Sequence, residues 1–178
     1  FAGVPRGGPQ FDLYAYGGRI STGGMALFVV PEGLGNVRRR VRWDLAQLAA
    51  GSMAASTYGT GDLDLTGPVD RIIQAYYMVG PLGRYSPGAT SGFHSYWLGQ
   101  PQFDAAKELA WGYQAYENLR RFHRDTTAAT YNVFVRAIPG ATATLGGTAL
   151  QNSFMVAVPA GSPDTAKTGP RNTIAHEM

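Results

Sequence analysis

The chain is 178 residues long, 44% hydrophobic and 15% charged, a balance that suits one large or two small folded domains and excludes a disordered polymer. It has no cysteine, which excludes disulfides and thiolate metal sites, and no run approaches the roughly 18 apolar residues needed to span a bilayer. The formal charge of +3, from 15 basic against 12 acidic groups, is too small an excess to imply nucleic acid as a partner.

The chain opens on Phe1 with no basic and apolar leader, so any targeting signal is expected to have been removed or left out. With 24 glycines and 11 prolines, its first half divides into short strands and turns. Segments 11–16, 25–30, 37–45 and 75–79 are rich in β-branched and aromatic residues, and Gly-Gly, Pro-Glu-Gly and Gly-Thr-Gly-Asp separate them. They predict an antiparallel, sandwich-like unit. Arg38, Arg39, Arg40 and Arg42 form the one dense basic cluster. Alternation along a strand sends them to both faces, and a solvated strand or its rim is the expectation. Residues 80–88 carry two prolines and three glycines and mark a boundary, giving domains 1–83 and 84–178.

Beyond that boundary 93–98 predicts another strand, and Asp104 caps a helix over 105–124. At about 100° per residue, Ala106, Leu109, Ala110, Tyr113, Tyr116 and Leu119 share one arc, with Lys107, Gln114, Asn118 and Arg121 opposite. Trp111 and Phe122 fall outside the arc, so packing on more than one side is expected. His123, beside Arg121 and Arg124, needs no function beyond a cation at a helix C-terminus, and His94 reads as a sheet residue. Strands are predicted at 131–138, closed by Pro139-Gly140, and at 148–158, closed by Pro159-Ala160-Gly161. Gly146 and Gly147 between them mark a turn, or a backbone approach to another strand or a ligand. A loop over 161–170 leads to the closing RNTIAHEM.

His176 followed by Glu177, after a helical approach, is how the zinc motif H-E-x-x-H begins. Histidines at i and i+4 project from one helix face and can both reach a zinc ion, while the glutamate beside the first can take a proton from metal-bound water. A strand edge next to the metal can hold an extended peptide by main-chain hydrogen bonds. The second histidine would fall two residues past Met178, so the sequence reads as cut inside the motif.

In its strand, helix and strand, its glycine-pair segment GGTALQNS and its following HE helix, the chain resembles the gluzincin clan of zinc metallopeptidases. The glycyl aminopeptidase-like and leucine aminopeptidase-like branches are the most similar, over about residues 84–178. The resemblance implies an α+β fold, a β-sandwich-like N-terminal part followed by the start of a thermolysin-like catalytic domain. It implies His176 as the first zinc ligand and Glu177 as general base. Gly146, Gly147, Thr148, Ala149, Leu150, Gln151 and Asn152 become the edge that aligns the substrate. Zinc is implied for the complete protein and not for the isolated chain, because one imidazole does not hold catalytic zinc. The implied partners are a peptide or protein substrate and the remainder of the same polypeptide, in a periplasmic or secreted setting. Aminopeptidase branches place a glutamate in the edge motif to hold a free amine. Residues 148–152 contain no acid, so tolerance of blocked N-termini is expected.

Two other readings remain open. A β-rich, non-catalytic module could bind carbohydrate or peptide through exposed Trp43, Trp97 or Trp111, although tryptophan is more often a core residue. A purely structural domain of a larger surface protein is the third.

Overall fold

A computed structural model describes residues 13–89, 91–127, 129–139, 146–160 and 169–178. The chain forms two compact units, Phe1–Leu82 and Gly83–Met178. The fold is α+β, mostly sheet, with sandwich-like layering in the first unit.

The first unit is built on a five-stranded antiparallel sheet in the order β1, β2, β7, β4, β5. Its strands are β1 Leu13–Tyr16, β2 Arg19–Gly23, β4 Met53–Ser56, β5 Gly59–Thr60 and β7 Tyr76–Gly80. The central strand β7 is buried along its whole length, as its aromatic and β-branched composition requires. A two-stranded sheet of β3 Asn36–Val41 and β6 Leu63–Pro68 forms a second layer. Between the layers Leu63, Ile72, Ala75 and Tyr77 make a core, against which Phe28, Val41, Trp43 and Leu65 pack.

The strand expected at 25–30 is corrected: Gly24–Leu27 is a single helical turn, α1. Its first N–H donates to the Ala75 carbonyl at 2.8 Å, and the Phe28 N–H closes the turn on the Gly24 carbonyl at 2.9 Å. Phe28 then meets Tyr77 edge-on at 5.2 Å between ring centroids. Met25, Leu27 and Val29 are exposed, so the apolar composition that suggests a strand marks no buried strand here, and the tertiary contact of Gly24 with Ala75 goes with the helical turn. The strand expected at 37–45 ends at Val41, because the Trp43 N–H turns to Asp62 and its indole to the Gly61 carbonyl. The start of the first strand at Phe11 and Asp12, Gly140 of the turn after 138, and residues 161–168 of the loop lie outside the described residues.

The second unit is a mixed five-stranded sheet in the order β11, β12, β10, β9, β8. Its strands are β8 Gly83–Tyr85, β9 Phe93–Leu98, β10 Tyr131–Pro139, β11 Gly146–Leu150 and β12 Ser153–Ala160. β10 runs parallel to both β9 and β12, while β11 pairs antiparallel with β12. The long helix α2, Ala105–His123, connects β9 to β10, and the Asp104 carboxylate accepts the Lys107 N–H at its start. The terminal helix α3 spans Arg171–Glu177.

The face of α2 turned to the core differs by about one position from the periodic reading. Ala105, Glu108, Leu109 and Gly112 are buried, whereas Ala106 is exposed. Close packing requires it: a β-carbon on Gly112 would stand 3.5 Å from Ile174 and 3.6 Å from Met178, so the small residue faces α3. The core joins Leu109 and Ile174 to Phe93, Val133, Val135, Phe154, Val156 and Val158 from the sheet.

Candidate active site

The single strand expected at 148–158 is instead a hairpin. β11 and β12 pair from Gly146 with Ala157 to Leu150 with Ser153, leaving Gln151 and Asn152 as the turn. Asn152 has φ +56°, a left-handed conformation that asparagine tolerates better than most residues. Its carbonyl accepts the Asn132 N–H at 3.0 Å. Gln151 and Asn152 therefore lie in the turn and outside the strand. β11 is the outer strand of its sheet among the described strands.

Alternation along β11 divides the remaining candidates. Gly147 and Ala149 pair with Val156 and Phe154, both core residues beneath the helices, so these positions share the helical face. Gly146, Thr148 and Leu150 belong to the opposite face, and the Thr148 hydroxyl donates to the Gly147 carbonyl at 2.7 Å.

Helix α3 brings Glu177 onto this strand. A β-carbon at Gly147 would lie 2.5 Å from Glu177 Oε1 and 2.7 Å from its Cδ and Cγ. The carboxylate thus occupies the space that a side chain at position 147 would fill. Tyr131 at the start of β10 feels the same charge. Burial first, then Tyr116 and Glu177, push its phenol up to about 12. Its ring stacks with Phe93 at 6.3 Å and sits 4.8 Å from Tyr116, forming an aromatic wall. His176 is about 100° further round the helix and is exposed. The structure therefore joins Glu177 to Gly147 but leaves His176 on the outer side.

Three contacts hold α3 in place. Ile174 is fully buried between α2 and the sheet. Arg171 donates from Nε and Nη2 to the two oxygens of Glu108 at 2.7 and 3.0 Å, and its guanidinium lies 5.3 Å from the centre of the Trp111 ring. Glu108 and Arg171 were not singled out from the sequence. Glu108 sits four residues before Gly112 and could have been found as part of the face that Gly112 defines, whereas nothing in the local pattern distinguishes Arg171.

A zinc ion normally takes three or four protein ligands. No group of three or more His, Cys, Asp or Glu side chains able to hold a metal occurs among the described residues. His176 and Glu177 alone do not make a zinc site. His123 is exposed, with its ring 5.0 Å from Phe122. The tryptophans pack inward: Trp43 on Tyr77, Trp97 across Gly83 and Trp111 against Arg171. No helix among the described residues is long and apolar enough to cross a membrane.

No family model matches the chain, and no curated protein matches it either. Solved structures do. An aminopeptidase N family protein from Idiomarina loihiensis superposes with a TM-score of 0.67 at 12% identity, covering 83% of this chain and 26% of that one. A two-domain M1 zinc metallopeptidase bound to L-arginine gives 0.46 at 16% identity, covering 93% of this chain and 40% of the other. An M1 zinc metallopeptidase from Deinococcus radiodurans gives 0.41 at 15% identity, covering 85% and 38%. The first of these likenesses is one of fold: this chain shares the architecture of about a quarter of an aminopeptidase N family protein.

Proposed function

We propose that the chain is part of a zinc-dependent peptidase, in which Glu177 is the general base and the β11 edge aligns the peptide. The observation that carries this reading is the carboxylate of Glu177 resting on Gly147 of an outer strand. An extended peptide added to that edge by main-chain hydrogen bonds would pass beside Glu177, which takes a proton from the attacking water. The fold shared with part of the Idiomarina loihiensis protein, whose description is aminopeptidase N family, supports the same reading. His176 is assigned the first zinc ligand, with the others supplied from outside this chain. The substrate edge runs from Gly146 through Leu150, with Gln151 and Asn152 at its end, and the absence of an acid in 148–152 leaves blocked N-termini acceptable.

The test uses the longer polypeptide. Glu177→Gln is expected to abolish hydrolysis of a mixed peptide library with zinc content unchanged, and His176→Ala to lose the zinc. Gly147→Ala, which forces the Glu177 carboxylate to move, is expected to lower turnover at least ~10-fold while costing under about 1 kcal/mol of stability. A fully active Glu177→Gln enzyme would rule the mechanism out. The binding-module alternative predicts instead that Trp43→Ala, Trp97→Ala or Trp111→Ala removes ligand affinity, but each ring is engaged within the fold.

A further inference from the structure

Helix α3 has little to hold it in place by itself. It is seven residues long and no side chain caps its start. Isolated helices shorter than about 12 residues are marginal in water, so tertiary contacts set where it sits. Successive helical residues turn by about 100° and rise by about 1.5 Å. Measured from the buried Ile174, Arg171 therefore lies about 60° to one side and Glu177 about 60° to the other, with about 9 Å of rise between them. The two flanks meet different elements. Arg171 meets Glu108 and Trp111 of α2, and Glu177 meets Gly147 of β11.

Ile174 and Met178 pack on Gly112 through apolar contacts, which have no preferred direction and leave α3 able to turn about its own axis. The contact of Arg171 with Glu108 is directional. Nε and Nη2 donate to separate carboxylate oxygens at 2.7 and 3.0 Å, a planar fork that fixes the rotation of the helix carrying it. The Glu108 side chain is only 12% exposed. It also abuts the chain entering α3, since a β-carbon on Gly169, at φ +61°, would stand 2.9 Å from its Oε2. Trp111, one turn further along α2, covers the same guanidinium at 5.3 Å.

We infer that Glu108 is a positioning residue for the reaction: through Arg171 it sets the rotation of α3, and with it the place of the Glu177 carboxylate over Gly147. The inference rests on the reading of Glu177 as general base. Side-chain tips lie roughly 5–6 Å from a helix axis, so a turn of ~20° carries a carboxylate about 2 Å. Misplacing a reacting group by about 1 Å can cost on the order of 100-fold in rate, so the pair contributes turnover as well as stability.

The test compares Glu108→Gln and Arg171→Lys, the second of which keeps the charge and removes the fork. In the longer polypeptide, with a single peptide as substrate, each is expected to lower kcat ~10–100-fold, to change KM less than ~3-fold and to leave zinc content unaltered. In the 178-residue chain, NMR should show a nuclear Overhauser effect between the Gly147 α-protons and the Glu177 γ-protons. Both variants should lose it and keep the one between Gly112 and Ile174. Unchanged kcat in both variants, a fall in kcat that only follows loss of zinc or of folded protein, or a lowered kcat with the Gly147–Glu177 effect intact overturns the inference. If Glu108→Gln does not fold, Arg171→Lys decides alone. An inactive Glu177→Gln enzyme beside fully active Glu108→Gln and Arg171→Lys enzymes removes the positioning role and leaves the general base standing, whereas a fully active Glu177→Gln enzyme removes both.

Discussion

At the scale of the residue, charge pairing separates side chains that the sequence presents as equivalent. Asp64 is held at about 2, chiefly by the hydrogen bond from Arg38, with a smaller contribution from Arg40. A carboxyl lowered from its ordinary value near 4 adds stability that is complete above that value and disappears as pH falls toward about 2. The expected result is an Asp64 titration midpoint near 2 by carboxyl-carbon NMR, moving up toward about 4 in Arg38→Ala, and an unchanged midpoint in that variant would mean the pair is not formed in solution. The basic cluster and its alternation were legible in the sequence. Nothing in the local pattern distinguishes Arg39 as the buried member, because that depends on Pro68, 29 residues further on, arriving from the strand that pairs with β3. Glu177 shows the same division, since its proximity to His176 is written in the chain and its proximity to Gly147 is not.

At the scale of the element, the helix at 105–124 was readable almost to the residue, as Asp104 supplies the cap and the apolar period sets the length. Its buried face is shifted by about one position from the periodic reading, because Gly112 carries no hydrophobic signal yet packs against Ile174 and Met178. The contacts there are at ordinary van der Waals distance, so a methyl group fits. Gly112→Ala is expected to stabilise the chain by roughly 0.5–1 kcal/mol through helix propensity, and Gly112→Leu to destabilise it by about 1–3 kcal/mol by displacing Ile174 and Met178. Urea denaturation of the two variants checks the pair, and a loss of stability in Gly112→Ala would show that the helices sit closer than 3.5 Å allows. The hairpin at 151–152 was missed for a different reason: Gln-Asn carries a weaker turn signal than Asn-Gly, and the apolar run on either side reads through it as one strand.

At the scale of the whole molecule, sheet order is set by pairings remote in sequence. β2 pairs with β7 in the register Ile20 with Val79, and β10 pairs in parallel with β12 across the intervening β11. Chains dominated by such contacts must close long loops before they gain packing, which slows folding. Refolding after dilution from denaturant is expected on the order of 10 ms to seconds, measured by tryptophan fluorescence in a stopped-flow instrument. Refolding complete in tens of microseconds would contradict the sheet topology. The chain spans 26% of the Idiomarina loihiensis structure it matches, so hydrolysis and zinc content are to be measured on the longer polypeptide.

By itself the sequence determined the α+β class, the β-rich first half, the long capped helix and the strands at 93–98 and 131–138, because hydrophobic period, cap and turn chemistry act over a few residues. The juxtaposition of Glu177 with Gly147, the turn at Gln151 and Asn152, and the exposed position of His176 were decided by tertiary structure alone. Burial of Ile174 and the Arg171–Glu108 pair fix the angle at which α3 meets β11, and those contacts join residues 63 positions apart, beyond the reach of any local pattern.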